Sequence, residues 1–267
     1  MNGFFTVKEY LQWLKNSKTR HGVHSPFVYR FLDQCLYRES DQALFKIPEA
    51  HRIKLKNNHT ILEFIDPGAG NKKQKNKAST KSIKKIKVRQ IALNSLQKPR
   101  NCRLFNRIIH FFGCRTVLEM GTSFGITTSY MSLAGNHLKI DTIEGAQPVA
   151  DLAEKYFKDS GFTNINLHRG NFDQILEDVV SGKKYDLIFI DGNHRGEKTL
   201  EYFQKLTKHI NVMGVIIVDD IRWSESMLEA WHNIKMHPDV TVSIDLFSMG
   251  IVFFDKRFTK EEFAIRF

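Results

Sequence analysis

Residues 185–190 (YDLIFI) and 214–218 (GVIIV) are near-continuous apolar runs bounded by polar residues. A strand that is apolar on both alternating faces must be covered on both faces, which is the situation of central strands in a sheet sandwiched by helices. Further short strand-like runs lie at 116–120, 139–143 and 165–168. Helical stripes alternate with them: Val149, Leu152, Ala153, Tyr156 and Phe157 form one, and Leu200, Phe203, Leu206 and Ile210 another. This alternation predicts an α/β fold, a mostly parallel, doubly wound sheet with helices on both faces. After a polar helix beginning near Ser224, VTVSIDLF and GIVFF are separated by only two residues. That gap is too short for a crossover helix, so the last two strands should be antiparallel neighbours.

The first 110 residues are different in kind. They carry 23 basic and 7 acidic side chains, against 17 and 22 in residues 111–267, so the net charge of +11 is concentrated in the first part. Helical patterns at 4–15, after Ser25-Pro26, at 88–96 and at 104–112 suggest a helical cap over 1–99 preceding a core domain over 100–267. Within the cap, residues 71–89 hold nine basic residues and no acidic one, which reads as an exposed basic loop. Such a run can meet phosphates or an anionic surface, or be a solvated loop; no aromatic residue interleaves it as a base-stacking platform requires. No apolar run approaches the ~20 residues of a membrane span, the start of the chain is punctuated by charges, and the three cysteines form no metal or disulfide spacing, so a cytoplasmic protein is expected. The oligomeric state is left open.

The segment TVLEMGTSFGITTSYMSLAG places Glu119 at a strand end, Gly121, Thr122, Ser123 and Gly125 in a tight turn, and a helix start near Ile126. Glycines there let a ligand approach the backbone, and the next strand closes on Glu144, about 20 residues on, where a carboxylate can accept hydrogen bonds from both hydroxyls of a ribose. This pattern resembles the class I, Rossmann-like S-adenosylmethionine-dependent methyltransferases, with EMGTSFG as their first motif and VTVSIDLFSMGIVFF as their closing hairpin. The resemblance covers residues 100–255. It implies that Glu119 lies near the methionine amino end of the cofactor, that Gly121, Thr122, Ser123 and Gly125 shape the cofactor turn, that Glu144 holds the ribose, and that Asn171 and Phe172 flank the adenine. GTSFG is not the GxGxxG of dinucleotide-binding folds, which do not predict a closing hairpin either.

Asp191 ends the strand FIDGNHR, and Asp219 and Asp220 end VDDIRW, so a doubly wound sheet should bring these acids to the crevice at its carboxyl edge. Three carboxylates offer hard oxygen ligands for Mg²⁺ or another divalent ion. The arrangement is similar to the catechol O-methyltransferase-like branch, in which a metal holds and acidifies the substrate hydroxyl. Asp191 and Asp219 match that branch; Asp220 stands where it has Asn, and His194 where it has Lys. The alternative is that the acids orient cofactor and substrate by hydrogen bonds. His194 is a candidate proton acceptor, with Asp191 beside it in the catalytic set, or else a polar loop residue. The stretch TRHGVHSPFVYRF resembles bacterial methyltransferases of this type, and His21 and His24 within it are more often structural than catalytic. The expected function is O-methylation of a small anionic or phenolic molecule. The alternatives are an RNA or ribosomal methyltransferase, or a non-catalytic nucleic-acid-binding module using residues 71–89.

Overall fold

The computed structural model describes residues 3–65 and 83–267. In chain order the elements are α1 (Gly3–Asn16), α2 (Pro26–Phe31), α3 (Lys46–Lys56), β1 (Ile61–Ile65), β2 (Ile83–Lys87), α4 (Val88–Ser95), α5 (Pro99–Phe112), β3 (Thr116–Met120), α6 (Ile126–Ser132), β4 (Lys139–Glu144), α7 (Gln147–Asp159), β5 (Ile165–Arg169), α8 (Phe172–Val180), β6 (Tyr185–Ile190), α9 (Gly196–Leu206), β7 (Ile210–Asp219), α10 (Glu225–Met236), β8 (Val242–Asp245), β9 (Met249–Phe253) and β10 (Glu261–Ala264). Eight strands form one sheet in the order β10-β8-β9-β7-β6-β3-β4-β5. The expected mixed α/β sheet and its antiparallel closing pair are present: β6 runs parallel to β7, β4 parallel to β5, and β9 antiparallel to both β7 and β8.

The chain forms two compact units, residues 1–39, 107–118 and 182–267 in one and 40–106 and 119–181 in the other. In the first unit the apolar runs behave as their patterns require, with Leu187, Ile188, Phe189, Val215, Ile216 and Ile217 all fully buried. Strand β7 begins earlier than expected, at Ile210, because its first residues pair outside the buried run, leaving Val212 and Met213 exposed. Strand β10 was not anticipated; it lies parallel to β8, and the chain beyond it returns to the start through Lys18 and Ile265. Ser25 and Pro26 do start α2, which runs into a π-helical turn at Leu32–Leu36, and Phe27 and Phe31 pack edge-on against Phe253. The carbonyls of Cys35 and Leu36 in that turn accept hydrogen bonds from the Arg107 guanidinium. Asp186 fixes the entry to β3 by accepting from the backbone N–H of Arg115 and Thr116, the Thr116 hydroxyl and the Asn211 amide, and these donors outweigh the upward push of burial to hold its carboxyl below the usual range.

The second unit corrects the expected basic loop. Residues 66–82 lie outside the described residues, but Ile83–Lys87 is a strand, antiparallel to β1, and α4 follows it directly. Leu62 and Ile86 face each other on one side of the hairpin and Glu63 and Lys85 on the other, where they form an ion pair of 2.6 Å. Leu62, Val88 and Ala92 then join Phe45, Leu55, Phe124, Tyr130 and Val149 in one core cluster. Arg52, almost fully buried, is matched by Glu49, the Gln97 carbonyl and the Cys102 sulfur, and Glu49 also accepts from the Tyr130 hydroxyl. The three cysteines are buried thiols. No helix among the described residues is long and apolar enough to cross a membrane.

Candidate functional site

Within the second unit the glycine turn is a strained device held from several sides. Gly121 has φ +107, Ser123 φ +48 and Gly125 φ +76, backbone angles that L side chains rarely adopt. The carbonyl of Ile143 on β4 accepts from the N–H of both Gly121 and Thr122, which ties the turn to the neighbouring strand. Gly125 has a second reason to be glycine: a Cβ there would stand 2.4 Å from the Phe157 ring. The sequence motif suggested a cofactor requirement at this position; the structure adds a packing one.

Glu119 is entirely buried. Its Oε2 accepts from the hydroxyls of Thr128 on α6 and Thr142 on β4, at 2.5 and 2.6 Å, while its Oε1 is buried with no partner among the described residues. Burial pushes the carboxyl up to about 7, against the two hydroxyl donors and with the help of the like charge of Glu144. Glu144 is arranged differently. Its Oε2 accepts from the Ser123 N–H and its Oε1 from the Ala146 N–H, both at 2.8 Å. Burial still raises its carboxyl above the ordinary value despite these donors. The Gly145 N–H acts on it as a third backbone donor, so the carboxylate is fixed in orientation and keeps acceptor capacity toward a ligand. The backbone then turns at Gly170, whose N–H donates to the Glu144 carbonyl, and Asn171 caps α8 by accepting from the Asp173 N–H. Asn171 and Phe172 are thereby brought to the end of the strand beside Glu144, both half-buried, with the Asn171 carboxamide oxygen engaged as a helix cap.

The first unit carries the other group. Asp191 follows β6, Asp219 ends β7, the strand paired with β6, and Asp220 follows it. Asn193, His194 and Asp220 all have positive φ, +68, +33 and +52. Non-glycine residues in this region cost about 1–3 kcal/mol each, so the loops after two adjacent strands hold backbone strain where their polar side chains sit. The Asn193 amide donates to the Tyr202 hydroxyl. His194 Nδ1 lies 3.5 Å from Asp220 Oδ2, with the Trp223 ring 5.7 Å from the imidazole centroid. Burial lowers the imidazole below its usual range, opposed by the Asp220 charge, and raises the Asp220 carboxyl, opposed by His194. Burial thus favours the neutral imidazole.

Among the described residues no group of three His, Cys, Asp or Glu side chains is gathered as a metal site, and the Asp220 carboxylate is turned to His194. Where the resembled branch has the neutral side chain of Asn, this chain has a charged partner for a histidine. His21 and His24 are both exposed. The residues that sequence reasoning missed are Thr128, Thr142 and Phe157. Thr142 had a visible signal, a hydroxyl on the same face of KIDTIE as Glu144, two residues away.

A methyltransferase-domain family model matches residues 118–221. The O-methyltransferase hkm8 of Aspergillus hancockii is 29% identical over 128 residues, 46% of this chain and 50% of that protein. The chain spans about half the length of the curated relatives it matches. Among solved structures, the O-methyltransferase TomG of Streptomyces achromogenes, in complex with S-adenosylmethionine, aligns with a TM-score of 0.57 at 17% identity, covering 85% of this chain and 95% of that one. An O-methyltransferase of Bacillus cereus in complex with S-adenosylhomocysteine aligns at 0.52 and 19% identity, covering 60% and 83%. A methyltransferase-domain model thus matches residues 118–221, and the fold is that of the class I, Rossmann-like methyltransferases.

Proposed function

We propose that this chain transfers a methyl group from S-adenosylmethionine to an oxygen of a small anionic or phenolic acceptor, with His194 as the proton acceptor. The observation that carries the reading is Glu144, its two oxygens pre-oriented by backbone N–H groups directly beside a left-handed glycine turn. A diol acceptor site of that kind suits a ribose. In this reading Glu119 takes the amino end of the cofactor, the turn Gly121-Thr122-Ser123 with Gly125 admits its backbone approach, and Asn171 and Phe172 border the adenine. The bound cofactor supplies an electrophilic methyl on a positively charged sulfur, so the protein's main task is to hold donor and acceptor in line.

The acid-base work falls to the first unit. Asp220 facing Nδ1 selects the tautomer with its proton there, which leaves the Nε2 lone pair free to take the proton of an acceptor hydroxyl. Asp191 orients by hydrogen bonding in this scheme. Mg²⁺ or another divalent ion has no role in it, because the carboxylate that would complete the ligand set serves His194. Exposed Lys54 and Lys87 in the unit that contains the glycine turn favour an acceptor with negative charge. The same lysines favour a second reading, a nucleic-acid acceptor, although no exposed large aromatic side chain lies among the described residues of 40–99 to stack a base. Buried free thiols fit the reducing cytoplasm.

The test is transfer of labelled methyl from S-adenosylmethionine to a panel of phenols, hydroxy acids and RNA, with and without a chelator. Labelled small oxygen acceptors and chelator-indifferent turnover are expected. Label in RNA alone would replace the acceptor assignment, and turnover abolished by chelator and restored by Mg²⁺ would return the acids to a metal role.

A further inference from the structure

Glu119 raises a question that cofactor binding alone does not answer. A fully buried carboxylate with one unpaired oxygen is costly, on the order of several kcal/mol, unless it is neutralised or given a cationic partner. The hydroxyl network around it runs in one direction. Thr142 donates to Glu119 Oε2, so its own oxygen is left to accept from the Thr122 hydroxyl 2.6 Å away, and Thr128 donates to the same Oε2 from α6. Both protein donors converge on one oxygen, and the other is kept bare.

The groups acting on this carboxyl are Thr128 from α6, Thr142 within β4 and the like charge of Glu144 at the end of β4; no cationic side chain of the described residues is among them. The empty protein therefore neutralises Glu119 with a proton, consistent with a carboxyl pushed up to about 7.

We propose that Thr128 and Thr142 are positioning residues that hold one oxygen of Glu119 so that the other meets the cationic amino end of the cofactor, and that cofactor binding thereby displaces a proton from Glu119. This rests on the assignment of S-adenosylmethionine to the glycine turn. The proton leaves Oε1 for solvent as the ligand's ammonium takes its place, so the net charge at the carboxyl-ligand pair is conserved. The sign follows. Below the empty-state value the protein must give up a proton to bind, so affinity falls as pH drops; above it, affinity levels off.

The experiment is calorimetric titration with S-adenosylhomocysteine from pH 5.5 to 8.5, using wild type, Glu119→Gln, Thr142→Val and Thr142→Ser. The ligand's own amino group titrates alike in all four, so differences between them report the protein. Wild-type Kd is expected to rise by up to about tenfold per pH unit below 7. Glu119→Gln should bind weakly with that dependence gone. Thr142→Val removes a donor that favours the carboxylate, so its break should move to higher pH, with affinity recovering toward wild type at pH 8.5; Thr142→Ser keeps the donor and should keep the wild-type profile. A flat wild-type profile, or a Thr142→Val variant weakened by the same factor at every pH, overturns the inference while leaving the cofactor assignment standing. Absence of binding by the wild type at any pH overturns that assignment itself.

Discussion

Gly125→Ala is expected to lower the melting temperature by about 5–10 °C and to weaken S-adenosylmethionine binding by more than about 100-fold. Two costs add at this position. The backbone has φ +76, where alanine pays roughly 1–2 kcal/mol relative to glycine. The new methyl would stand 2.4 and 2.5 Å from two carbons of the Phe157 ring. Phe157 cannot withdraw cheaply, because it is buried with Ala153 and Tyr156 against Phe162, Ile165 and Leu167. Overpacking of this kind costs about 1–3 kcal/mol, and in a chain of this length each kcal/mol moves the melting temperature by roughly 2–4 °C. The turn is what gives way, and with it the orientation of Ser123 toward Glu144. Differential scanning calorimetry and a ligand titration check both halves. Truncating Phe157 as well should make the pair less than additive, since the same contact is removed twice. A Gly125→Ala protein with unchanged melting and binding would mean that the close approach to Phe157 is not a constraint.

His194→Ala is expected to reduce kcat by about 10²–10⁴, the usual range for losing a general base, while leaving the affinity for S-adenosylhomocysteine within about twofold. The kcat/KM profile of the wild type should lose activity as pH falls through the histidine pKa, and burial sets that acid limb below 6.5, the ordinary imidazole value. Asp220→Asn removes the charge that opposes this lowering, so the acid limb should move further down in pH while the plateau falls through loss of the tautomer preference. The two observations together separate a base from a packing residue. A His194→Ala enzyme with most of its turnover, or an Asp220→Asn limb that does not move, would contradict the assignment.

How far the sequence anticipated this depends on the range of the contacts involved. The central strands were legible because burial on both faces writes a continuous apolar run into YDLIFI and GVIIV, and the closing hairpin because two residues cannot carry a crossover. Glu119, Gly121, Gly125 and Glu144 were legible because a strand-turn-helix unit and the strand after it keep a fixed spacing. Strand β2 was not, since its two isoleucines, three apart among lysines, write no period-two pattern and its partner lies beyond 17 intervening residues that fall outside the described part. The Thr128 and Thr142 donors and the Phe157 ring behind Gly125 come from separate elements, and no local pattern records that they meet. Asp220 is the instructive case. Its position in VDD suggested a metal ligand, but a φ of +52 turns it out of ordinary strand geometry, and its carboxylate faces a histidine 26 residues earlier in the chain. Backbone conformation, which the residue string does not display, sets where its carboxylate faces.

The central claim, that the glycine turn and Glu144 form an S-adenosylmethionine site, is tested most directly by calorimetric titration of the full chain with S-adenosylmethionine at pH 8, alongside Glu144→Ala. One-to-one saturable binding is predicted for the wild type, weakened roughly 100-fold in the variant by loss of two charge-assisted hydrogen bonds. Absence of binding by the wild type, or equal affinity in Glu144→Ala, would contradict the account.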